Sequence, residues 1–580
     1  MVKDSNPPKL PGLGRRPKKL LRAIALAGAA AMAAVSPLSA KAPAQTPVAA
    51  SARSVPQAEH QQMNLIFVLV DDLRFDAMGF LTPGLQTPNI DYLARNGTYF
   101  PNAVVTSSLC SPSRATILTG ETARNHGVID NSNSSEKGLT FFPSYLQQAG
   151  YQTAFFGKWH MGDATDAPRP GFDRWVSFAG QGTYWPTERL SPAEVAAGKR
   201  QQLNVDGTHV NRTGYITDEL TDYALDWLKQ GRDRSRPFFL YLSHKAVHSD
   251  PEPPLRYKDQ YADLKVTLPA SAANTPENNA GKPVWVRNQR NSWHGIDFPY
   301  HTDRKMTDYL RDYYATLSPV DESLGKILHY LRDNGLERNT MVVFYSDNGF
   351  MVGDHGLIDK RNAYEPSVRV PLLVYAPGTI PAGAVNQALV RNLDLAPTFL
   401  DAAGVAKPAQ MEGSSFLSLA EGKTAAKDWN PGDFVYEYYW DVSFPQTPTT
   451  FAIERDGMKY IQYHGIWDIE ELYDVRHDPE EMHNLIDDPK HLETKVTLRK
   501  ALFDQLANRQ GEHHIPYTEK FSEGIVKRNV DGPHAADFPA DWYTKPNLPT
   551  AFNGYYRDTP EKLKADEEGK TYIPGGRSGE

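Results

Sequence analysis

Short, continuous apolar runs, each followed by polar residues, recur along much of the chain. They lie at residues 65–70, 153–156, 237–243, 340–345 and 370–375. Runs of this length, rich in Val, Leu, Ile and Phe, predict strands that are buried on both faces of a sheet. Helical patterns separate most of them. Strands alternating with helices predict an α/β fold, in which a mostly parallel sheet is flanked by helices.

Proline and glycine positions indicate where the helices between these strands begin and end. Proline near the start and glycine after the end of a pattern are typical helix boundaries, and they predict helices over residues 87–97, 145–149, 217–229 and 308–334. Pro319 lies inside the last pattern and predicts a kink or two separate helices, since proline removes a backbone donor. Residues 163–215 and 251–301 are rich in Pro, Gly and polar residues, and we expect irregular surface excursions there.

The pattern changes after about residue 422. Short aromatic-rich segments at 434–440, 450–455 and 458–463 predict antiparallel strands, and residues 493–508 predict one helix. We therefore expect a catalytic domain over 61–422, a smaller C-terminal α+β subdomain over 423–540, and a charged tail over 541–580 that wraps or trails.

The N-terminus has the order of features of an export signal. Basic pairs at 15–16 and 18–19 precede an apolar run at 23–35, and small residues at 40–42 offer a cleavage site. The run is too short to span a membrane comfortably. We predict a signal peptide over 1–42, of twin-arginine type, a flexible lead-in over 43–60, and a periplasmic or secreted protein without stable membrane insertion. A cytosolic low-complexity tail is the alternative.

Net charge and cysteine content limit the classes of binding partner and cross-link that we expect. The 580 residues carry a net charge of -8, and this mild acidic excess predicts no nucleic-acid partner. It leaves an anionic substrate open, because a local cluster of cations can oppose the global charge. With one cysteine in the sequence, no internal disulfide can form.

Polar residues follow four of the predicted strands directly. These strand ends carry Asp71-Asp72, Lys158-x-His160, His244-x-x-x-His248 and Asp347-Asn348. In mostly parallel sheets ligands bind outside the carboxyl ends of the strands, so we expect these side chains to meet. The oxygens of Asp71, Asp72, Asp347 and Asn348 suit Ca²⁺ or Mg²⁺ better than Zn²⁺.

The single cysteine lies in Cys110-Ser111-Pro112-Ser113-Arg114. Pro112 predicts the first turn of a helix, which would put the thiol at a helix N-terminus beside Arg114, where anions are stabilised. The alternatives are a small buried apolar residue and a redox thiol, for which the sequence offers no partner cysteine.

This segment, with Thr119-Gly120 after it, resembles the signature of type I sulfatases. The resemblance implies an alkaline-phosphatase-like fold. It also implies that a formylglycine-generating maturation enzyme converts Cys110 to 3-oxoalanine (formylglycine). One calcium ion would then be held by the four oxygen-bearing residues named above together with residue 110.

The resemblance further implies a mechanism. One hydroxyl of the hydrated aldehyde attacks sulfur, and the other, deprotonated by His160, expels sulfate. Arg114 holds the nucleophile, and Lys158 and Lys360 neutralise sulfate oxygens. His248 fits the acid that protonates the leaving oxygen, with His244 as the competing candidate.

Lys360 is placed by the pattern Lys360-x-x-x-Tyr364-Glu365, which resembles a loop of the family. Here Pro366-Ser367 stands where a glycine pair is often found. That departure leaves the backbone path of the loop open.

Residues 471–474, 478–480 and 484–485 resemble the C-terminal signature of the sulfatase family. Within the family, Asp359-Lys360-Arg361 before Tyr364-Glu365, and the region from 438–440 to Tyr460, resemble bacterial glycan sulfatases of the N-acetylglucosamine-6-sulfatase type. This resemblance implies a sulfated carbohydrate as substrate, namely the 6-O-sulfate of N-acetylglucosamine in heparan, keratan or mucin glycans. Two alternatives are a phosphonate or phosphate ester hydrolase of the same superfamily, and a sulfated-glycan binding protein that has lost catalysis.

Overall fold

A computed structural model describes residues 62–132, 134–162, 165–288, 304–441, 443–464, 466 and 468–507. The predicted signal peptide, lead-in and tail lie outside these ranges, as does the C-terminal subdomain beyond residue 507. Within the described ranges, every helix is too short or too polar to cross a membrane.

The centre of the fold is a ten-stranded sheet. Its strands in chain order are β1 (Asn64–Val70), β2 (Thr98–Tyr99), β4 (Gln152–Lys158), β5 (Arg174–Phe178), β6 (Gln202–Val205), β7 (Thr208–Asn211), β8 (Phe238–Ser243), β9 (Thr340–Ser346), β12 (Leu372–Tyr375) and β13 (Ala384–Val385). Two small two-stranded pairs accompany it, β3 (Ala103–Val104) with β14 (Val390–Arg391), and β10 (Met351–Val352) with β11 (Ile358–Asp359).

The spatial order of the large sheet is β13-β2-β12-β9-β1-β8-β4-β5-β6-β7. The five central strands from β9 to β5 are mutually parallel, with β1 between β9 and β8. Both flanks turn antiparallel, since β12 pairs antiparallel with β9, and β6 pairs antiparallel with β5. The prediction of a mostly parallel sheet is confirmed.

Helices cover both faces of the sheet. The helices of the described chain are α1 (Pro88–Asn96), α2 (Cys110–Thr119), α3 (Ala123–His126), α4 (Phe142–Gln148), α5 (Pro192–Ala196), α6 (Ile216–Asp226), α7 (Pro276–Asn279), α8 (Val284–Arg287), α9 (Met306–Asp333), α10 (Glu365–Val368), α11 (Leu395–Ala402), α12 (Leu417–Ala420) and α13 (Leu492–Ala507). Helices α1, α6 and α9 pack on one face and α2, α4 and α11 on the other. A π-helical turn, Trp227–Gly231, continues α6.

The alternation of side chains along β1 divides the core in two. Ile66, Val68 and Val70 belong to the cluster that includes α1, α6 and α9. Leu65 and Phe67 face the opposite cluster, which includes α2, α4 and α11. All of these β1 side chains are buried, which explains why the sequence shows one continuous apolar run.

The expectation of an irregular excursion over 163–215 is wrong for its described part. Strands β5, β6 and β7 lie there and extend the sheet by three strands. The sequence pattern misses β6 and β7 because β7 is exposed along its whole length and β6 is only half-buried. Neither strand therefore carries an apolar run.

Helix α9 is one continuous helix of 28 residues with Pro319 inside it. Of the two alternatives expected at Pro319, two separate helices is therefore wrong. The excursion predicted over 251–301 is largely irregular in its described part. It contains a short 3₁₀ turn, Ala270–Ala272, and helices α7 and α8.

The C-terminal part forms its own antiparallel sheet of four strands, β15 (Phe434–Tyr438), β16 (Thr449–Arg455), β17 (Met458–His464) and β18 (Glu471–Asp474). One face packs on α13. The other face contributes Tyr436, Tyr438 and Tyr473 to a cluster with Leu109 and Tyr364 of the larger part. The aromatic residues of these strands are thus mainly core, and they brace the segments on either side of the site described next.

Candidate active site

The four predicted strand ends meet. Strands β9, β1, β8 and β4 are consecutive neighbours in the sheet and run in the same direction. Their carboxyl ends therefore lie side by side, and the polar residues that follow them share one edge. The expectation drawn from the sequence is confirmed at this level.

Three carboxylates form the centre of the site. Asp71, Asp72 and Asp347 each place an oxygen within 4.8 Å of the others, and all three are buried. Burial, followed by repulsion from Asp71, raises the pKa of Asp347 to about 7. Like charges this close are costly without a compensating cation.

The donor set fits a hard divalent cation. Oδ2 of Asp72 and Oδ1 of Asn348 are buried oxygens without a hydrogen-bond partner among the described atoms. The Asn348 amide donates to Oδ1 of Asp72 at 2.5 Å, which leaves its own oxygen open. Orphaned carboxylate and amide oxygens beside further carboxylates are what Ca²⁺ or Mg²⁺ requires.

Backbone contacts fix the first two carboxylates. The N–H of Asp71 donates to Ala246 O at 2.8 Å, and Asp71 O accepts from Val247 N at 2.7 Å. The N–H of Asp72 donates to Oδ1 of Asp347 at 3.1 Å. Asp72 itself has a φ of 60°, a conformation that the surrounding structure must hold.

The lone cysteine begins α2, as predicted, and is fully buried. Its Sγ lies 3.3 Å from Nζ of Lys360, 3.5 Å from Oδ1 of Asp71 and 3.6 Å from Nζ of Lys158. The thiol thus sits against the carboxylate cluster, between two ammonium groups.

Burial, followed by the charge of Asp71, raises the pKa of the Cys110 thiol to about 12. An unmodified thiol would stay protonated at neutral pH and would be a poor nucleophile or redox group. With no second cysteine in the sequence, the redox alternative has no support.

Arg114 contacts several of the strand ends that form the site. Its Nε and Nη2 each lie 2.9 Å from Oδ2 of Asp347. Its Nη1 donates to Lys158 O at 2.5 Å and to Oγ of Ser243 at 2.7 Å. The guanidinium therefore ties together the ends of β9, β4 and β8. Ser243 was not singled out by the sequence, because a serine at a strand end carries no distinctive signal.

Each of the two lysines is paired with a different carboxylate. Lys158 forms an ion pair with Asp71, and Lys360 forms one with Asp72. All four side chains are buried, with exposed fractions of 2% or less. Both lysines also contact the Cys110 sulfur, so the predicted cationic groups are in place.

The structure distinguishes the two candidate histidines after β8. Nε2 of His248 lies 3.8 Å from Oδ2 of Asp72. Its Nδ1 lies 2.7 Å from Ser249 O; because a carbonyl only accepts, Nδ1 carries the proton and Nε2 faces the site. His244 points instead to Oγ of Ser323 at 3.4 Å, and burial lowers its pKa to about 3.

His160 lies just beyond the end of β4. Strand β4 ends at Lys158, and His160 has a φ of 60°, so the two residues do not share an extended segment. Nδ1 of His160 is buried without a partner in the described structure. Burial, followed by Lys158 and Arg114, holds the pKa of His160 well below its usual range.

Supporting residues on distant elements were missed by sequence reasoning. The Tyr313 hydroxyl, on α9, donates to Asp72 O at 2.5 Å and accepts from Arg74 N at 2.9 Å. Arg74 Nη1 reaches Phe350 O and Asp354, both at 2.9 Å. The sequence near Asp72 gives no indication that a tyrosine more than two hundred positions away contacts it.

Comparison with known proteins identifies the family. The model of the family described as Sulfatase matches residues 63–405. The chain belongs to the sulfatase family. A second model, described as the C-terminal part of N-sulphoglucosamine sulphohydrolase, matches residues 353–508. The protein is accordingly a sulfuric ester hydrolase with a C-terminal subdomain.

Individual proteins similar to this chain include ones that act on or bind amino sugars. An N-acetylglucosamine-6-O-sulfatase of Bacteroides thetaiotaomicron is 31% identical over 516 residues, which cover 78% of this chain and 88% of the relative. One solved structure, described as a complex with its substrate D-glucosamine-2-N,6-O-disulfate, is 30% identical with a TM-score of 0.65. The match covers 77% of this chain and 97% of that one.

The fold is shared more widely. A phosphonate monoester hydrolase of Agrobacterium radiobacter matches with a TM-score of 0.60 at 22% identity, over 80% of this chain and 100% of that one. At this identity the likeness concerns the fold alone. The chemistry must therefore be argued from the site residues.

Proposed function

We propose that this sulfatase hydrolyses the 6-O-sulfate ester of N-acetylglucosamine units in glycans. The observation that carries the proposal is the position of Cys110, pressed against a carboxylate cluster and between the ammonium groups of Lys158 and Lys360. The choice of sugar is supported by the relative and the complex described above, which act on or bind 6-sulfated glucosamine derivatives.

Calcium is the metal we propose, held by Asp71, Asp72, Asp347, Asn348 and the modified residue 110. These residues offer hard oxygen donors, two of them without partners among the described residues. When bound, the cation would withdraw charge from a sulfate oxygen and favour the ionised form of the nucleophile. Arg114 keeps Asp347 in place for it.

The nucleophile requires conversion of Cys110 to formylglycine by a maturation enzyme. Without a bound cation, burial raises the pKa of the thiol to about 12 and keeps it protonated. The hydrated aldehyde would supply the attacking oxygen at the same position. Lys158 and Lys360, both already within 3.6 Å of the sulfur, would neutralise charge on the sulfate oxygens.

Two histidines handle protons in this proposal. His248 presents Nε2 to the site and would deliver a proton to the departing sugar oxygen. His160 has a free, buried Nδ1 and a strongly lowered pKa. A neutral imidazole of this kind would accept the proton from residue 110 when sulfate leaves.

We further propose that residues 1–42 direct export to the periplasm or beyond, that 43–60 is a lead-in, and that the catalytic domain ends near residue 422. The order of basic, apolar and small residues supports the first point. N-terminal sequencing of the secreted protein would test it, and a start before residue 40 would count against this signal.

Mass spectrometry of the tryptic peptide 96–114 from the native host tests the chemistry. Aldehyde at position 110, together with release of sulfate from N-acetylglucosamine-6-sulfate, is the expected result. Release from galactose-6-sulfate, used as the matched control, should be much slower. An active protein with an unmodified thiol would overturn the mechanism, and a preference for another sugar would overturn the substrate.

The second candidate is a phosphonate or phosphate ester hydrolase, which the shared fold supports. Sulfate and phosphate esters of one alcohol, assayed in parallel, separate the two. Equal or faster turnover of the phosphate ester would reverse our choice. A binding protein without catalysis fits poorly, because every expected catalytic position is filled.

A further inference from the structure

The loop that carries His248 is held on one side by the metal-site strand. His244 N donates to Leu69 O at 2.8 Å, and Val247 N donates to Asp71 O at 2.7 Å. Within the loop, His248 N donates to Lys245 O at 3.1 Å. These contacts fix the start of the loop, but none of them involves the carbonyl oxygen of His248.

Tyr184 holds that carbonyl. Its hydroxyl donates to His248 O at 2.7 Å, and the side chain is fully buried. The ring stacks on Tyr215 with centroids 5.8 Å apart and an interplanar angle of 17°. Tyr215 in turn donates its hydroxyl to Glu252 O at 2.8 Å. The two tyrosines therefore grip the chain at His248 and again four residues later.

Lys245 completes the arrangement in an unusual way. It is 2% exposed, yet it forms no ion pair with any carboxylate in the described part of the chain. Its Nζ lies 4.4 Å from the centroid of the Tyr184 ring, within cation–π range. Burial, the main cause, lowers its pKa to about 7. Burying a lysine without a carboxylate partner costs folding free energy. If position 245 served packing alone, an apolar residue would stabilise the fold more.

We propose that Tyr184 and Lys245 are positioning residues that fix His248 against the leaving-group oxygen. The inference rests on the role of His248 proposed above. The Tyr184 hydroxyl anchors the backbone of His248. The Lys245 side chain, whose Nζ lies over the Tyr184 ring, keeps that ring in position. Since Nδ1 of His248 is bound to Ser249 O, anchoring the backbone also sets the direction of Nε2. Displacement of a catalytic group by about 1 Å can cost a hundredfold in rate.

Tyr184→Phe is the first test, since it removes one hydroxyl and keeps the ring. We expect kcat on N-acetylglucosamine-6-sulfate to fall about tenfold, with KM within about twofold. Tyr215→Phe is the matched control, because it removes the neighbouring hydroxyl without touching His248. It should lower the melting temperature comparably and leave kcat within about twofold of wild type.

A double-mutant cycle with His248→Ala decides whether the effect passes through the histidine. If it does, adding Tyr184→Phe to His248→Ala costs less than about twofold, because the loss is not additive. A full further tenfold loss would overturn the inference and assign Tyr184 a general structural role. Unchanged kcat in Tyr184→Phe alone would overturn it as well.

Variants of Lys245 provide an independent test of the proposal. Lys245→Met should lower kcat about tenfold, and Lys245→Arg should restore most of it, because a guanidinium keeps the cation–π contact. Equal loss in both variants would contradict the proposed role. Failure of the proposed function is distinguishable, since His248→Ala would then retain wild-type kcat. If His248→Ala is inactive while both positioning variants keep full activity, only the present inference fails.

Discussion

Nζ of Lys360 lies 3.3 Å from Sγ of Cys110, although the two residues are 250 positions apart in the chain. Lys158 lies on another side of the same sulfur, at 3.6 Å. Three carboxylates and three basic side chains (Lys158, Lys360 and Arg114) therefore converge on one buried point. A bound divalent cation would favour the ionised carboxylates and add positive charge to the site, which suits an anionic ester.

Removing one of these ammonium groups should impair the chemistry. Lys360→Met is expected to lower kcat about 10²- to 10³-fold, the usual effect of losing one preorganised donor to developing charge. Steady-state kinetics on the sulfated sugar provide the measurement. Lys423→Met, at a side chain that is 69% exposed, is the control and should leave kcat unchanged. A loss of less than threefold in Lys360→Met would contradict its placement at the sulfate.

The carboxylate cluster should respond to calcium through stability. A metal-stripped sample is expected to gain about 2.7 kcal/mol of unfolding free energy at a calcium concentration 100 times the Kd. Asp347→Asn should remove most of this gain, because it deletes one charged ligand and the partner of Arg114. Thermal shift with and without a chelator measures it, and Asp504→Asn, on the surface of α13, is the control. Stoichiometric zinc with no calcium response would overturn the assignment.

Glu454 offers a pH prediction away from the active site. It lines a cavity of about 1020 Å³ between the two parts of the chain. Burial, followed by repulsion from Glu365, raises its pKa to about 7, against the opposing effects of Lys459, Arg369 and Arg476. The native state therefore binds more protons than the unfolded state between about pH 4.5 and 7, and this residue's contribution to stability falls as pH rises through that window.

Glu454→Gln should remove this slope. We expect the variant to match wild type near pH 4.5 and to be more stable at pH 8 by about 1 to 3 kcal/mol. Urea unfolding at both pH values is the measurement. Glu493→Gln, at an exposed position of α13, is the control and should show no pH-dependent difference. Parallel pH curves for wild type and Glu454→Gln would refute the prediction.

Glu471 joins the C-terminal sheet to the Lys360 segment. Its carboxylate accepts hydrogen bonds from Tyr364 at 2.7 Å and from Tyr463 and Tyr473. Glu471→Gln should cost about 2 to 4 kcal/mol of stability, since an amide replaces a buried charged acceptor. It should also lower kcat, because Tyr364 lies four residues after Lys360. Calorimetry and kinetics check both effects; a stable variant with full activity would show that the junction does not support the loop.

Much of the fold followed from local patterns. Buried strands such as β1, β8 and β9 must be apolar on both faces, and they were predicted within one or two residues. Strands β6 and β7 were missed because strands at the margin of a sheet, which are partly or wholly exposed, need no apolar run. His160 follows β4 as expected, but its positive φ has no signature in sequence.

By itself, the sequence predicted the central parallel strands, the oxygen-bearing residues that follow them and the helix start at Cys110, because strand burial and residue chemistry are local properties. Only the tertiary structure placed His248, rather than His244, beside Asp72. Only it revealed that Arg114 contacts Asp347 and that the Tyr184 hydroxyl binds the His248 carbonyl. Those choices depend on where side chains point after distant strands have packed. A side chain's direction is set by its neighbours in space, and the linear pattern does not contain them.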